Sequence, residues 1–256
     1  NKTLQVPWLG VFGNHDYGGA GCQSDWQSQI DFTYSDPTKT WTMPWQYFKQ
    51  SIEGEDGVTL DVFMMEANRD DCCSKGHHGI CYQALCPAYG LKASVQNCET
   101  RAWAIEQRAL EWLESELAAS TARWKVVVGH FPFGSNYQKI VTLMLAYGAN
   151  LYVGGHKHVL QYGFPESKGW KTKVPTLVTG AGGGIMNENA PDTYGFYAIE
   201  VTKNRLQITR VGDPKKGRLP AREYPVLYST PTEWVDQASN LTLAGQLMEI
   251  VHPSPA

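Results

Sequence analysis

A chain of 256 residues with 42 % hydrophobic and 12 % aromatic content carries enough apolar material for a buried core, which excludes a disordered chain. The net charge of −3 offers no footprint for nucleic acid or an anionic membrane surface. No apolar run reaches the roughly 18 residues that cross a bilayer; the longest, Trp124 to Phe133, is broken by Lys125, Gly129, His130 and Pro132.

Val6 to Phe12 reads as a buried strand running into Gly13, and the polar, Gly-rich stretch to about Tyr47 reads as long surface loops. Val58 to Met65 alternates and is rich in β-formers, so a strand is expected there. Residues 70–98 form a Cys-rich insertion with little periodicity. Glu99 to Ala119 carries Ala102, Ile105, Ala109, Trp112, Leu113 and Leu117 at three- and four-residue steps, which predicts a helix with a core face and Asn97 as its cap. Trp124 to Gly129 reads as a strand, Gln138 to Tyr147 as a helix stopped by Gly148, and Leu151 to Gly154 as a strand. This alternation is that of a layered α/β fold. Beyond Gly155, candidate strands at Val159–Phe164, Thr176–Thr179, Gly195–Val201 and Leu206–Val211 have no helix between them and suggest an antiparallel completion of the sheets. Residues 1–212 are thus read as one domain, and 213–256 as an irregular tail.

The six cysteines are Cys22, Cys72, Cys73, Cys81, Cys86 and Cys98, five of them within 27 residues. Asn1-Lys2-Thr3 and Asn240-Leu241-Thr242 fit the N-glycosylation pattern. An even cysteine count with two sequons points to an oxidising compartment, secreted or lumenal, with disulfides pinning the insertion. The pairing is open, since six cysteines allow 15 arrangements. A zinc site from Cys72, Cys73, His77 and His78 is the lesser reading, because no paired C-x-x-C spacing supports it.

Three short motifs follow predicted strands: Gly13-Asn14-His15-Asp16, Gly129-His130-Phe131-Pro132 and Gly155-His156-Lys157-His158. Loops at the carboxyl ends of strands in an open α/β sheet meet in one crevice. Imidazole nitrogens and an amide oxygen suit Zn, Fe or Mn. Gly182-Gly183-Gly184 lacks the Lys-Ser/Thr of a phosphate loop and reads as tight turning near that crevice, and His252 as a surface residue.

G-N-H-D, G-H and G-H-x-H in this order resemble the calcineurin-like metallophosphoesterases, and within them the small, mammalian-type (tartrate-resistant) purple acid phosphatases. Val6-Pro7-Trp8, Gln29-Ile30, Tyr34-Ser35, Trp41, Pro44 and Phe48 add to the likeness, which runs from about Val6 to Val201. The resemblance implies an α/β/β/α sandwich with mixed sheets and a binuclear metal centre, Fe with Fe, Zn or Mn. Asn14, His130 and His156 would ligate one ion and His158 the other. His15 would act as general acid while a metal-bound hydroxide attacks a small phosphate monoester in line. The family's D-x-G and G-D-x-x-Y motifs, expected before G-N-H-D, have no counterpart in the twelve residues ahead of Gly13. The expectation is therefore a C-terminal portion of a longer enzyme, lacking its first strand–helix–strand, unable to hold two metals on its own. Lys157 fills the variable position of G-H-x-H, and the loop after Pro132 carries no histidine. The alternatives are a non-catalytic phosphatase-like scaffold and a phosphodiesterase or nucleotidase of the same superfamily.

Overall fold

The computed structural model describes residues 5–17, 26–68, 95–163, 166–167, 170–171, 174–182, 194–213 and 222–224. The cysteines other than Cys98, together with His77, His78, Gly183, Gly184, His252, Asn1 and Asn240, lie outside this set. The backbone of Cys98 is described but its side chain is not. Disulfide, glycosylation and zinc readings at these residues therefore stand as expectations.

The chain opens with β1 (Trp8–Leu9), a 3₁₀ turn (Asn14–Tyr17), α1 (Trp26–Ser35), β2 (Trp41–Thr42), β3 (Phe48–Glu53) and β4 (Thr59–Met64). Then come α2 (Val95–Ala119), β5 (Trp124–Val128), α3 (Gly134–Ala146), β6 (Leu151–Gly154) and β7 (Leu160–Gly163). The last elements are β8 (Glu166–Ser167), β9 (Trp170–Lys171), β10 (Thr176–Thr179), β11 (Tyr194–Val201), β12 (Leu206–Asp213) and β13 (Arg222–Tyr224). A six-stranded sheet in the order β3-β4-β5-β6-β10-β7 forms the centre. Its four inner strands run parallel, and β3 and β7 close it antiparallel.

Period-2 alternation sorts the sheet's residues to two faces. Phe63, Val127 and Tyr152 pack with Leu113 and Leu117 of α2 and Ile140 and Met144 of α3. Trp124, Val126, Leu151 and Leu177 point the other way, against Leu206 and Ile208 of β12. Helices, a mixed sheet and a second sheet are thus stacked as layers, as the sequence implies. The second sheet is tied down where Trp124 Nε1 donates to Thr202 O (2.7 Å) and Arg123 Nε to Lys203 O (2.8 Å). On the helical face, Lys125 Nζ donates to Leu117 O (3.2 Å) and Tyr147 O (3.1 Å), so one ammonium serves the C-terminal ends of both helices. Burial lowers the Lys125 pKa, and the Asp61 charge opposes that shift.

Several elements depart from the expectation. Val6–Phe12 yields only the two-residue β1, paired in parallel with β2. The presumed loop before Tyr47 contains α1, in which Ile30 alone is fully buried among the side chains described, so the segment shows no helical period. The edge strand β3 was hidden by its polar sequence FKQSIE. Helix α2 begins at Val95, so Asn97 lies inside it and does not cap it. Helix α3 begins at Gly134 and ends as expected, with Ala149 N donating to Met144 O (2.8 Å) across Gly148 at φ 67°. Beyond residue 212, where an irregular tail is expected, β12 reaches Asp213 and pairs with β13.

The link from α1 to β2 is organised by Asp36. Its carboxylate accepts from the backbone N–H of Thr38 (2.8 Å), Thr40 (2.8 Å) and Trp41 (2.9 Å), and from the Thr38 hydroxyl (2.7 Å). The Trp41 N–H and the Thr38 hydroxyl, then the remaining N–H groups, hold the carboxyl well below the usual range against an opposing push from burial.

Candidate metal centre

The parallel neighbours β5 and β6 deliver Gly129–Phe133 and Gly155–His158 to the same rim of the sheet, because parallel strands end together. The two loops are joined by hydrogen bonds from Gly129 N to Val153 O (3.0 Å) and from Gly155 N to His130 O (2.8 Å). The Asn14–Tyr17 turn reaches this rim from the buried Phe12. Its Gly13 N donates to Asp16 Oδ2 (2.7 Å), and Gln29 Nε2 of α1 donates to Asp16 Oδ1 (2.8 Å). Asp16, the last residue of G-N-H-D, is therefore a brace between the turn and α1.

These constraints bring three side chains together. Asn14 Oδ1 lies 2.9 Å from His130 Nε2, and His156 Nδ1 lies 3.3 Å from the same nitrogen. Asn14 is buried, and both imidazoles are partly covered. Two ligands at right angles on an ion with bonds of about 2.1 Å sit about 3.0 Å apart, and tetrahedral ones about 3.4 Å apart. The observed separations match such edges, and two imidazole nitrogens with an amide oxygen are a donor set for a borderline divalent ion. The residues present fit one metal. Among the described residues, no group of three or more His, Cys, Asp or Glu side chains could hold an ion; the trio reaches three donors through the Asn14 amide.

Glycine is required at two close approaches. A Cβ on Gly13 would stand 2.8 Å from His130 Cε1 and 2.9 Å from Nδ1. A Cβ on Gly180, just past β10, would collide with the Lys157 carbonyl oxygen.

The G-H-K-H segment is bent by two successive three-residue turns, with Lys157 N donating to Gly155 O (2.6 Å) and Val159 N to Lys157 O (2.7 Å). His156 takes φ 58°, a left-handed backbone rarely seen outside glycine and found where surrounding structure over-determines it. His156 thereby enters the trio. His158 is exposed, and no hydrogen bond or ring contact among the described residues joins it to the other three. The backbone of His15 lies in the 3₁₀ turn; its side chain is outside the described set.

Sequence reasoning missed the aromatic walls of the site. Buried Phe131 packs 4.3 Å from the His156 ring and 4.9 Å edge-on to His130, and Phe133 stands 5.4 Å from His156. The Phe-Pro-Phe run directly after Gly129-His130 was the available signal. It also missed Asn68, four residues past β4, whose amide donates to Phe12 O (3.0 Å) and Glu66 Oε1 (2.9 Å), holding the chain just ahead of Gly13.

Residues 1–160 match the family model described as calcineurin-like phosphoesterase. Tartrate-resistant acid phosphatase type 5 of Rattus norvegicus is 27 % identical over 233 residues, 80 % of this chain and 63 % of that protein. Purple acid phosphatase 4 of Arabidopsis thaliana is 25 % identical over 232 residues, 81 % of this chain and 60 % of that protein. The chain thus spans about six tenths of the length of these relatives. A solved purple acid phosphatase from yellow lupin seeds superposes with a TM-score of 0.45 at 14 % identity, over 83 % of this chain and 39 % of that one. With the family model covering well over half of its length, the chain belongs to the calcineurin-like phosphoesterases.

Proposed function

We propose that this protein is a metal-dependent acid phosphatase acting on small phosphate monoesters. The observation that carries the reading is the approach of Asn14 (2.9 Å) and His156 (3.3 Å) to His130 Nε2 in a chain of this family. Asn14, His130 and His156 would hold one ion and His158 a second, Fe with Fe, Zn or Mn; when bound, the ions supply positive charge against the phosphoryl oxygens and make water more acidic. The protein's own contribution is positioning. Gly13 and Asp16 fix the turn that aims Asn14, Phe131 holds the His156 ring, and the left-handed backbone at His156 turns it inward. His15, next to Asn14, is assigned the proton given to the departing alkoxide, a contribution of about 10²–10⁴-fold. No helix of the described residues is long and apolar enough to cross a membrane. With the six cysteines and two sequons, a secreted or lysosome-like compartment is the proposed location.

Elemental analysis of the purified protein together with hydrolysis of p-nitrophenyl phosphate at acidic pH tests the reading. In the protein with its whole natural chain, bound metal with turnover is expected, both lost in His130→Ala. Unchanged turnover in that variant would overturn the reading. Faster cleavage of the bis-aryl diester would reassign the site to diesters, and bound metal without cleavage of either ester would leave a scaffold.

A further inference from the structure

Phe133 is an aromatic side chain that the core does not use. It occupies the N-cap position of α3 in an extended conformation (φ −160°, ψ 177°) and makes no side-chain cap. Its ring stays 40 % exposed, whereas Phe131, two residues earlier, is 2 % exposed. The two phenyl rings stand edge to face at 5.7 Å, and both pack against His156, Phe131 at 4.3 Å and Phe133 at 5.4 Å. The Lys157 ammonium lies 5.2 Å over the Phe133 ring, close enough for a cation–π attraction that limits the ring's freedom. The turns at His156 and His158 set this opposition, sending His156 to the trio and leaving Lys157 exposed beside Phe133.

We infer that Phe133, pinned by Lys157, is a platform for the leaving group and makes the site selective for phosphate monoesters of aromatic alcohols. This rests on the phosphatase reading above. A phosphoryl group held at the trio sits beside His156, and Phe133, 5.4 Å from the His156 ring, is within reach of the group on its ester oxygen. An aryl ring there can stack offset on Phe133 or meet its edge, and bury apolar surface that is otherwise wet. A small alkyl group cannot. One aromatic pair of this kind is equivalent to about three- to tenfold in selectivity.

The test compares kcat/KM for phenyl phosphate with that for hexafluoroisopropyl phosphate, whose alcohols are similarly acidic, so that leaving-group chemistry is held level. Inhibition by phenylphosphonate and methylphosphonate reads binding without turnover. The wild type is expected to favour the phenyl member of both pairs. Phe133→Ala and Phe133→Leu should lower the phenyl-to-alkyl ratio of both pairs by three- to tenfold, Phe133→Tyr should retain it, and Lys157→Met should lose part of it. Turnover that persists in Phe133→Ala with the preference intact, or with both substrates reduced equally, overturns this inference alone. A wild type that binds neither phosphonate and cleaves neither ester overturns the phosphatase reading, and this inference with it.

Discussion

Replacing Gly13 with alanine adds one methyl group at the place where the G-N-H-D turn passes the His130 ring. That Cβ would stand 2.8 Å from Cε1 and 2.9 Å from Nδ1. An ordinary carbon contact is about 3.6 Å, so the ring must retreat by about 0.8 Å. It is not free to do so cheaply, since the Phe131 ring meets it edge-on at 4.9 Å and Gly155 N grips its own carbonyl at 2.8 Å. Overpacking of this kind costs about 1–3 kcal/mol. At about 2–4 °C per kcal/mol for a domain of this size, the metal-free melting temperature should fall by about 2–12 °C. The effect on the metal is sharper, because ligand distances tolerate only about 0.2 Å. A ring displaced by several times that amount should lose at least about 10–100-fold in affinity, the penalty seen when orienting partners of a ligand are removed. Calorimetric titration with zinc, paired with melts of the metal-free protein, measures both. Equal zinc affinity in Gly13→Ala and wild type would refute the assignment of His130. A lowered melt with unchanged affinity would show that the ring moved but does not ligate.

Three further outcomes are expected. Asp36→Asn should destabilise the protein at pH 7, because its NH₂ replaces one carboxylate oxygen and would face either the N–H of Thr38 or the N–H groups of Thr40 and Trp41. The Asp36 pKa is depressed on folding, so its contribution is complete above the unfolded value of about 3.9 and fades as pH falls below it; urea melts at pH 7 and pH 3 should show the gap between variant and wild type narrowing, and a constant gap would contradict this. Lys125→Met keeps the stem but removes the charge shared by two helix ends, and should cost about 1–3 kcal/mol in chemical denaturation, an unchanged midpoint being the contrary result. His15→Ala should lower turnover of alkyl phosphates far more than of activated aryl phosphates, and equal losses would remove the acid role.

What could be read from the sequence was whatever repeats along one direction. Strands β5, β6, β10, β11 and β12 declare themselves by apolar alternation or continuous apolar runs, and α2 and α3 by apolar steps on one face. Helix α1 was illegible because its described side chains, Ile30 aside, are exposed or half-exposed and leave no apolar period to detect, and β3 because an edge strand half in water carries polar residues. The same limit applies at the site. That Asn14, His130 and His156 should approach one another follows from parallel strands ending at a common rim. That His158 stands apart from the trio, which the family resemblance implies, is not contained in the strand pattern, because it depends on two backbone reversals within residues 155–159, one at a non-glycine φ of 58°. The role of Asp16 was equally hidden, since its partner Gln29 lies thirteen residues on in an unexpected helix.

The parallel order of β4, β5, β6 and β10 divides the molecule into a working end and a silent one. The connections 54–58, 120–123 and 147–150 all gather where these strands begin or β3 turns back. At the first of them, Gly57 has φ 74° and open space around the position of a Cβ, and the chain there folds on itself through Gly54 N to Val58 O (2.8 Å). Strand β4 alone separates that bend from the opposite rim by about 20 Å at 3.3 Å per residue. A fluorophore or short affinity peptide spliced between Asp56 and Gly57 would ride as cargo on the silent end, reporting whether the sheet is assembled while leaving the ion-holding loops untouched.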